Sequence, residues 1–188
     1  FLTLNEREMA DVEMIGDGAM SPLTGFMSRA DYECVVRTMR LQSGLPWSIP
    51  VTLSVKASNQ ERFREGEWIA LRAPDRKRIV AVMQIAEKYS YNREEEAGLV
   101  YLTQDRAHPV VDALFKQGEY LLSGKIWLLN RVVHEDFGQY RHTPAELRKL
   151  FPSIRICNMS RQGGNLEAYV DRTIALGAGF LQLRDAAG

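Results

Sequence analysis

Glu67-Trp68-Ile69-Ala70-Leu71-Arg72, the turn Ala73-Pro74-Asp75-Arg76-Lys77, and Ile79-Val80-Ala81-Val82-Met83-Gln84-Ile85 together decide the fold class. Two short runs rich in β-branched and aromatic residues flank a Pro-Asp turn, which reads as a pair of strands. Upstream, Ile49-Pro50-Val51-Thr52-Leu53-Ser54-Val55 alternates with period two and predicts another strand. Downstream, Leu99–Leu102, and Tyr120–Leu122 through Ile126–Leu129, predict more. Short strands separated by turn signals imply a small barrel or strongly bent sheet.

Helices flank these strands. Glu6 and Glu8 stand where a helix start favours negative charge, and Met9, Val12, Met14 and Ile15 form a stripe that ends at Gly16 and Gly18. Ser28 reads as the N-cap of a helix over about 29–40. Asn92 to Ala97 is charged and helical in character. A short helix begins at His108-Pro109. Thr143, Pro144 and Glu146 have the spacing of a capping box with proline at the first helical position, and Phe151-Pro152 closes that helix.

The class is therefore α+β: a β-rich unit over 1–152, then a shorter segment over 153–188. In that segment Ile154–Cys157 and Phe180–Leu183 predict strands around a helix over Leu166–Leu176, a β-α-β fragment. The 188 residues are 45% hydrophobic and 26% charged, with a formal net charge of +0. No global basic field draws nucleic acid or an anionic membrane toward the chain. Cys34 and Cys157 have neither zinc nor CxxC spacing and fit a reducing cytoplasm. No apolar run is long enough to span a bilayer. The chain begins with Phe1 rather than Met, which reads as a processed product or part of a longer one.

Ser21-Pro22-Leu23-Thr24-Gly25-Phe26-Met27, after Gly18-Ala19-Met20, resembles a motif of ATP sulfurylase (sulfate adenylyltransferase). Trp47-Ser48-Ile49-Pro50-Val51-Thr52-Leu53 is similar to a strand of the same family. So are Thr103, Asp105 and His108-Pro109-Val110, the Ser123-Gly124-Lys125 run, which matches a glycine turn, and Tyr140-Arg141 with Thr143–Arg148. The ordered matches run from about Leu4 to Phe151. The resemblance implies a PUA-like domain beside a Rossmann-like nucleotidyltransferase domain. It also implies ATP and Mg²⁺ as requirements of the complete enzyme, and a homo-oligomer.

The family's catalytic segment carries glutamine-x-arginine-asparagine followed by a histidine-rich loop. These groups stabilise charge as sulfate attacks the α-phosphorus. After Phe151 there is no histidine, and Asn158-Met159-Ser160-Arg161-Gln162 has the polar residues in another order. No residue is therefore assigned as catalytic, none as a metal ligand, and no cofactor to this chain alone. Ser21, Pro22, Leu23, Gly25, Phe26, Met27, His108 and Pro109 are the expected family-motif or domain-interface residues. The simpler reading of the Ser21–Met27 run is structural: proline and glycine set the backbone while Leu23, Phe26 and Met27 fill core. Ala175–Asp185 resembles a strand of thiamine-phosphate synthase, whose lysine would fall at Ala186.

Other features read more plainly. His108 is a structural histidine, and His134 and His142 sit in a charged stretch with Glu135, Asp136 and Arg141. Arg72, Arg76, Lys77 and Arg78 form a charged hairpin, with RNA contact as the alternative. Neither Gly163-Gly164 nor Ser123-Gly124-Lys125 is followed by the Lys-Ser/Thr that a phosphate loop needs. Three functions follow: a domain of a sulfate adenylyltransferase, a non-catalytic scaffold or regulatory domain in a chain fused to adenylylsulfate kinase, or an RNA-binding PUA-like module. The partners expected are a nucleotidyltransferase or adenylylsulfate kinase domain, with neither nucleic acid nor membrane.

Overall fold

The computed structural model describes residues 1–130 and 140–150. The elements are β1 (Leu2–Thr3), α1 (Glu6–Gly16), β2 (Gly25–Phe26), α2 (Arg29–Thr38), β3 (Leu53–Val55), β4 (Trp68–Arg72), β5 (Ile79–Gln84), β6 (Glu87–Ser90), α3 (Arg93–Val100), α4 (Pro109–Phe115), β7 (Tyr120–Leu128) and α5 (Pro144–Leu150). A short 3₁₀ turn spans Ala57–Arg62. The predicted fragment over 153–188 and the helix stop at Phe151-Pro152 lie outside the described residues.

The strands form one curled sheet in the order β1-β4-β5-β7-β2, with β3 and β6 also pairing with β7. β7 is thus the common member. Its first half lies between β3 and β6, with Leu121 opposite Ser54 and Tyr89. Further along it meets β2 and β5, with Phe26 opposite Gly124 and Val82 opposite Trp127. Being covered on both faces, Leu121, Leu122, Ser123 and Gly124 are all buried. This explains why the run lacks alternation. The core is filled by Leu53, Leu71, Met83, Ile85 and Leu121, with Val12 from α1 and Val35 from α2.

The helices start where local chemistry satisfies their free N–H groups. Asn5 accepts from Glu8 N at 2.9 Å, and the Glu8 carboxylate accepts from Asn5 N at 2.9 Å, a complete capping box. Asn5→Ala should lower stability by about 1 kcal/mol. Thermal melts check this, and an unshifted melting temperature would count against the box. Ser28 caps α2 through Asp31 N, and Thr143 with Glu146 forms the predicted box on α5.

Four expectations require correction. Leu99–Leu102 is no strand. Leu99 and Val100 finish α3, Tyr101 N–H closes the helix on Ala97 O, and Leu102 turns away at φ 56. The Asn92 cap and the acidic first turn carry the helix through this apolar run, burying Ala97 against α4. Only Leu53–Val55 of the predicted strand 49–55 pairs. Pro50 has no N–H, and the Val51 and Thr52 carbonyls accept from Met27 N and Arg7 instead. Ser123-Gly124-Lys125 is the middle of β7 and not a turn. Its glycine is required because a Cβ there would land on the Gln84 carbonyl oxygen. Helix α2 also stops at Thr38, with Met39 left-handed at φ 54.

Candidate functional site

The Ser21–Met27 motif divides into an exposed and a buried half. Ser21, Pro22 and Thr24 are exposed, whereas Gly25, Phe26 and Met27 are buried. The loop is held by Ser21 Oγ donating to Gly18 O at 2.7 Å and Leu23 N to Met20 O at 2.9 Å; the Ser21–Pro22 bond is cis. Gly25 then lies beside Lys125, so closely that a Cβ would meet the Gly124 carbonyl. Met27 O accepts from the buried Tyr89 hydroxyl at 2.9 Å. His108 and Pro109 are exposed at the start of α4. The His108 ring accepts from Val111 N at 3.4 Å, so it caps a helix. His134, Glu135 and Asp136 lie outside the described residues.

A buried polar group lies between α2, α3 and β6. Tyr32 donates to the Glu96 carboxylate at 2.8 Å, and its ring meets those of Tyr89 and Tyr91 at 5.9 and 5.8 Å. Arg93 holds the Gln117 carbonyl at 2.7 Å, and Tyr91 donates to Gly118 O. Beside this group is a half-open cleft of about 320 Å³ lined by Tyr32, Val36, Arg37, Tyr91, Asn92 and Glu95. An Arg37–Glu95 ion pair of 3.3 Å is formed among its lining residues.

Burial pushes the Glu8, Asp11 and Glu96 carboxyls up from their ordinary values of 4.5, 3.8 and 4.5; Arg7 opposes it in each, as does the Tyr32 hydrogen bond at Glu96. Tyr32 and Tyr89 are raised mainly by burial as well. Because the folded chain holds the three carboxyl protons to higher pH, it binds more protons than the unfolded chain. Their stabilising contribution is complete below the ordinary values and is lost as pH rises through the raised ones. The exposed Asp75 and Glu119 and the half-buried Asp112 are shifted the other way, chiefly by hydrogen bonds to their carboxylates. Glu96→Gln keeps an acceptor for Tyr32 but cannot ionise. It should flatten the fall in melting temperature as pH rises above the ordinary carboxyl value of 4.5, and parallel curves for the two proteins would refute this.

The charged hairpin is partly engaged internally. Asp75 accepts from Lys77 N at 2.8 Å and pairs with Arg78 at 3.2 Å, while the Arg72 guanidinium lies 3.6 Å from the Phe1 ring centroid. On the same sheet, the indoles of Trp68 and Trp127 meet at 4.8 Å, with Lys125 Nζ 5.1 Å from the Trp127 centroid. Sequence reading did not find this aromatic pair, nor the Tyr32–Glu96 bond. The only local signal for the first was that both tryptophans fall in predicted strands.

A family model described as a PUA-like domain matches residues 1–131. The sulfate adenylyltransferase of Symbiobacterium thermophilum is 55% identical over 148 residues, which are 79% of this chain and 37% of that protein. The enzyme of the same name from Trichodesmium erythraeum is 46% identical over 150 residues, 80% of this chain and 38% of that protein. Among solved structures, one described as a hexameric APS kinase from Thiobacillus denitrificans aligns with a TM-score of 0.58 at 27% identity. That alignment covers 94% of this chain and 32% of the other. The chain thus spans well under half the length of the curated relatives it matches.

Proposed function

The chain belongs to the PUA-like domain family, its curated relatives are sulfate adenylyltransferases, and from that premise we propose that it is the supporting domain of such an enzyme. In this reading it carries and orients a nucleotidyltransferase domain that joins ATP and sulfate into adenosine 5′-phosphosulfate with release of pyrophosphate. ATP and Mg²⁺ are held by that domain, and no residue of 1–152 takes part in bond making. The observation that carries the reading is the 55% identity over 148 residues, with the family motif divided between a buried anchor and an exposed loop. Gly25, Phe26 and Met27 fix the loop to β7. Ser21, Pro22 and Leu23 present it to the neighbouring domain, and His108-Pro109 sets the start of α4.

The likeness to a hexameric APS kinase favours a second form of the same reading, in which the longer chain also bears an adenylylsulfate kinase domain and assembles as a homo-oligomer. We place the protein in the cytoplasm; among the described residues no helix is long and apolar enough to cross a membrane. The RNA-binding alternative is weakened by the internal engagement of Arg72 and Arg78.

The test is pyrophosphate release from ATP and sulfate. The 188-residue chain alone should give the no-enzyme background. The Symbiobacterium enzyme with its matched 148 residues replaced by those of this chain should be active. Turnover by the chain alone, or an inactive but folded chimera, would overturn the reading.

A further inference from the structure

The geometry points to the outer face of β4, β5 and β7 as the seat of the partner domain, and to a partner surface that is apolar at its centre and edged with carboxylates. This assignment rests on the supporting-domain reading above and adds where the contact is made and with what chemistry.

The register separates the two faces of the sheet. Leu71, Ala81 and Met83 point inward and are fully buried, and Ile126 joins them. The alternate positions point outward: Trp68 opposite Gln84, and Ala70 opposite Val82, which in turn lies opposite Trp127. On this outer side Trp68 is 58% exposed, Trp127 38%, and Leu129, just past β7, 54%; Phe1, stacked with Arg72, is 59% exposed. Together these four leave on the order of 400 Å² of apolar surface in water, within the range of the largest patches on monomers, which are often functional.

Among the described residues of β4, β5 and the outer half of β7, the charge on this face is one-sided. Its cations are Arg72 and Lys125, and no Asp or Glu occupies an outward position of β4, β5 or the outer half of β7. The whole chain has a formal net charge of +0, so the imbalance is local. A docking partner must therefore cover indoles and bring carboxylates to the rim, the arrangement that steers and registers protein interfaces.

Nucleic acid fits this face less well. Base stacking needs free ring faces. Here the two indoles pack on each other, Lys125 lies over Trp127, and Arg72 lies over Phe1. The face is also continuous with the exposed family motif. Ile126 N donates to Thr24 O at 3.0 Å, and Gly25 lies beside Lys125, so the loop 21–24 borders the strand that carries Trp127. The curated relatives have more than half their length beyond the matched region, enough to supply such a domain.

Hydroxyl-radical footprinting read by mass spectrometry tests the assignment, using the 188-residue chain and the full-length Symbiobacterium chimera. Trp68 and Trp127 should oxidise readily in the chain alone and about tenfold more slowly in the chimera, as expected for side chains at the water-excluded centre of an interface. Trp47 serves as the internal reference. Lys125→Glu should restore oxidation in the chimera while leaving the melting temperature of the 188-residue chain unchanged.

Equal oxidation of both tryptophans in chain and chimera would overturn the assignment. So would protection of the isolated chain that grows with its own concentration, which would make the occupant a second copy. Protection of the isolated chain by single-stranded poly(U) RNA would likewise overturn it. An active chimera with exposed tryptophans would remove this surface but keep the functional reading. An inactive chimera with protected tryptophans would support the surface and count against that reading.

Discussion

Gly124→Ala is expected to leave no stably folded domain. The added Cβ would fall on the Gln84 carbonyl oxygen, with Ala86 N only 3.3 Å away. Both obstacles are backbone, so no side chain can swing aside. Relief would require β5 and β7 to part, which would break the 2.8 Å hydrogen bond from Ala86 N to Ser123 O and the pairing of Met83 with Ile126. The cost should exceed about 4 kcal/mol, the upper tail for single substitutions, out of a total stability of roughly 5–15 kcal/mol. Gly44→Ala is the control: its φ is +85°, and a Cβ there meets nothing within 4 Å. It should cost only about 1–2 kcal/mol, the strain of a left-handed residue. Soluble yield and urea unfolding distinguish the two. A Gly124→Ala protein that melts close to the parent would show that the strands do not cross as described.

Leu121→Ala should destabilise by about 3–4 kcal/mol, a loss of roughly 10 °C in melting temperature for a domain of this size. The side chain is fully buried at the point where β7 lies between β3 and β6, and truncation leaves a hole that neither neighbour can close without giving up its pairing. Leu99→Ala removes the same atoms from a site 43% exposed on α3 and should shift stability far less. Similar midpoints for the two variants in urea would mean that Leu121 is not in the core.

What could be read from the chain was what its neighbours in sequence determine. Ser28 and Thr143 announce helices because the groups they cap lie three residues on. The β4–β5 hairpin is legible because its two halves alternate around a short turn. Elsewhere distant residues decide. Gly124 in the middle of a strand looks like a turn glycine until Gln84 is placed against it. Leu99–Leu102 has strand composition, yet the Asn92 cap claims its first half for a helix. β6 was missed because only Tyr89 of its four residues is buried, while Lys88 reaches the carbonyls of Gln60 and Phe63. The Ser21–Met27 run was singled out by resemblance. The indole pair was not, since Trp68 and Trp127 meet only across an intervening strand.

The position of β7 in the chain sets a timetable for synthesis. Gly25–Phe26, Leu53–Val55 and Glu87–Ser90 all pair with a strand, Tyr120–Leu128, that the ribosome makes last among these four. From the first of these segments to the last, translation takes on the order of ten seconds. Over that interval Phe26, then Leu53 and then Tyr89 are added to the chain while their sheet partner is still unmade. The nascent chain in a cell must therefore wait, or be sheltered, until β7 emerges and lets the earlier strands close around it.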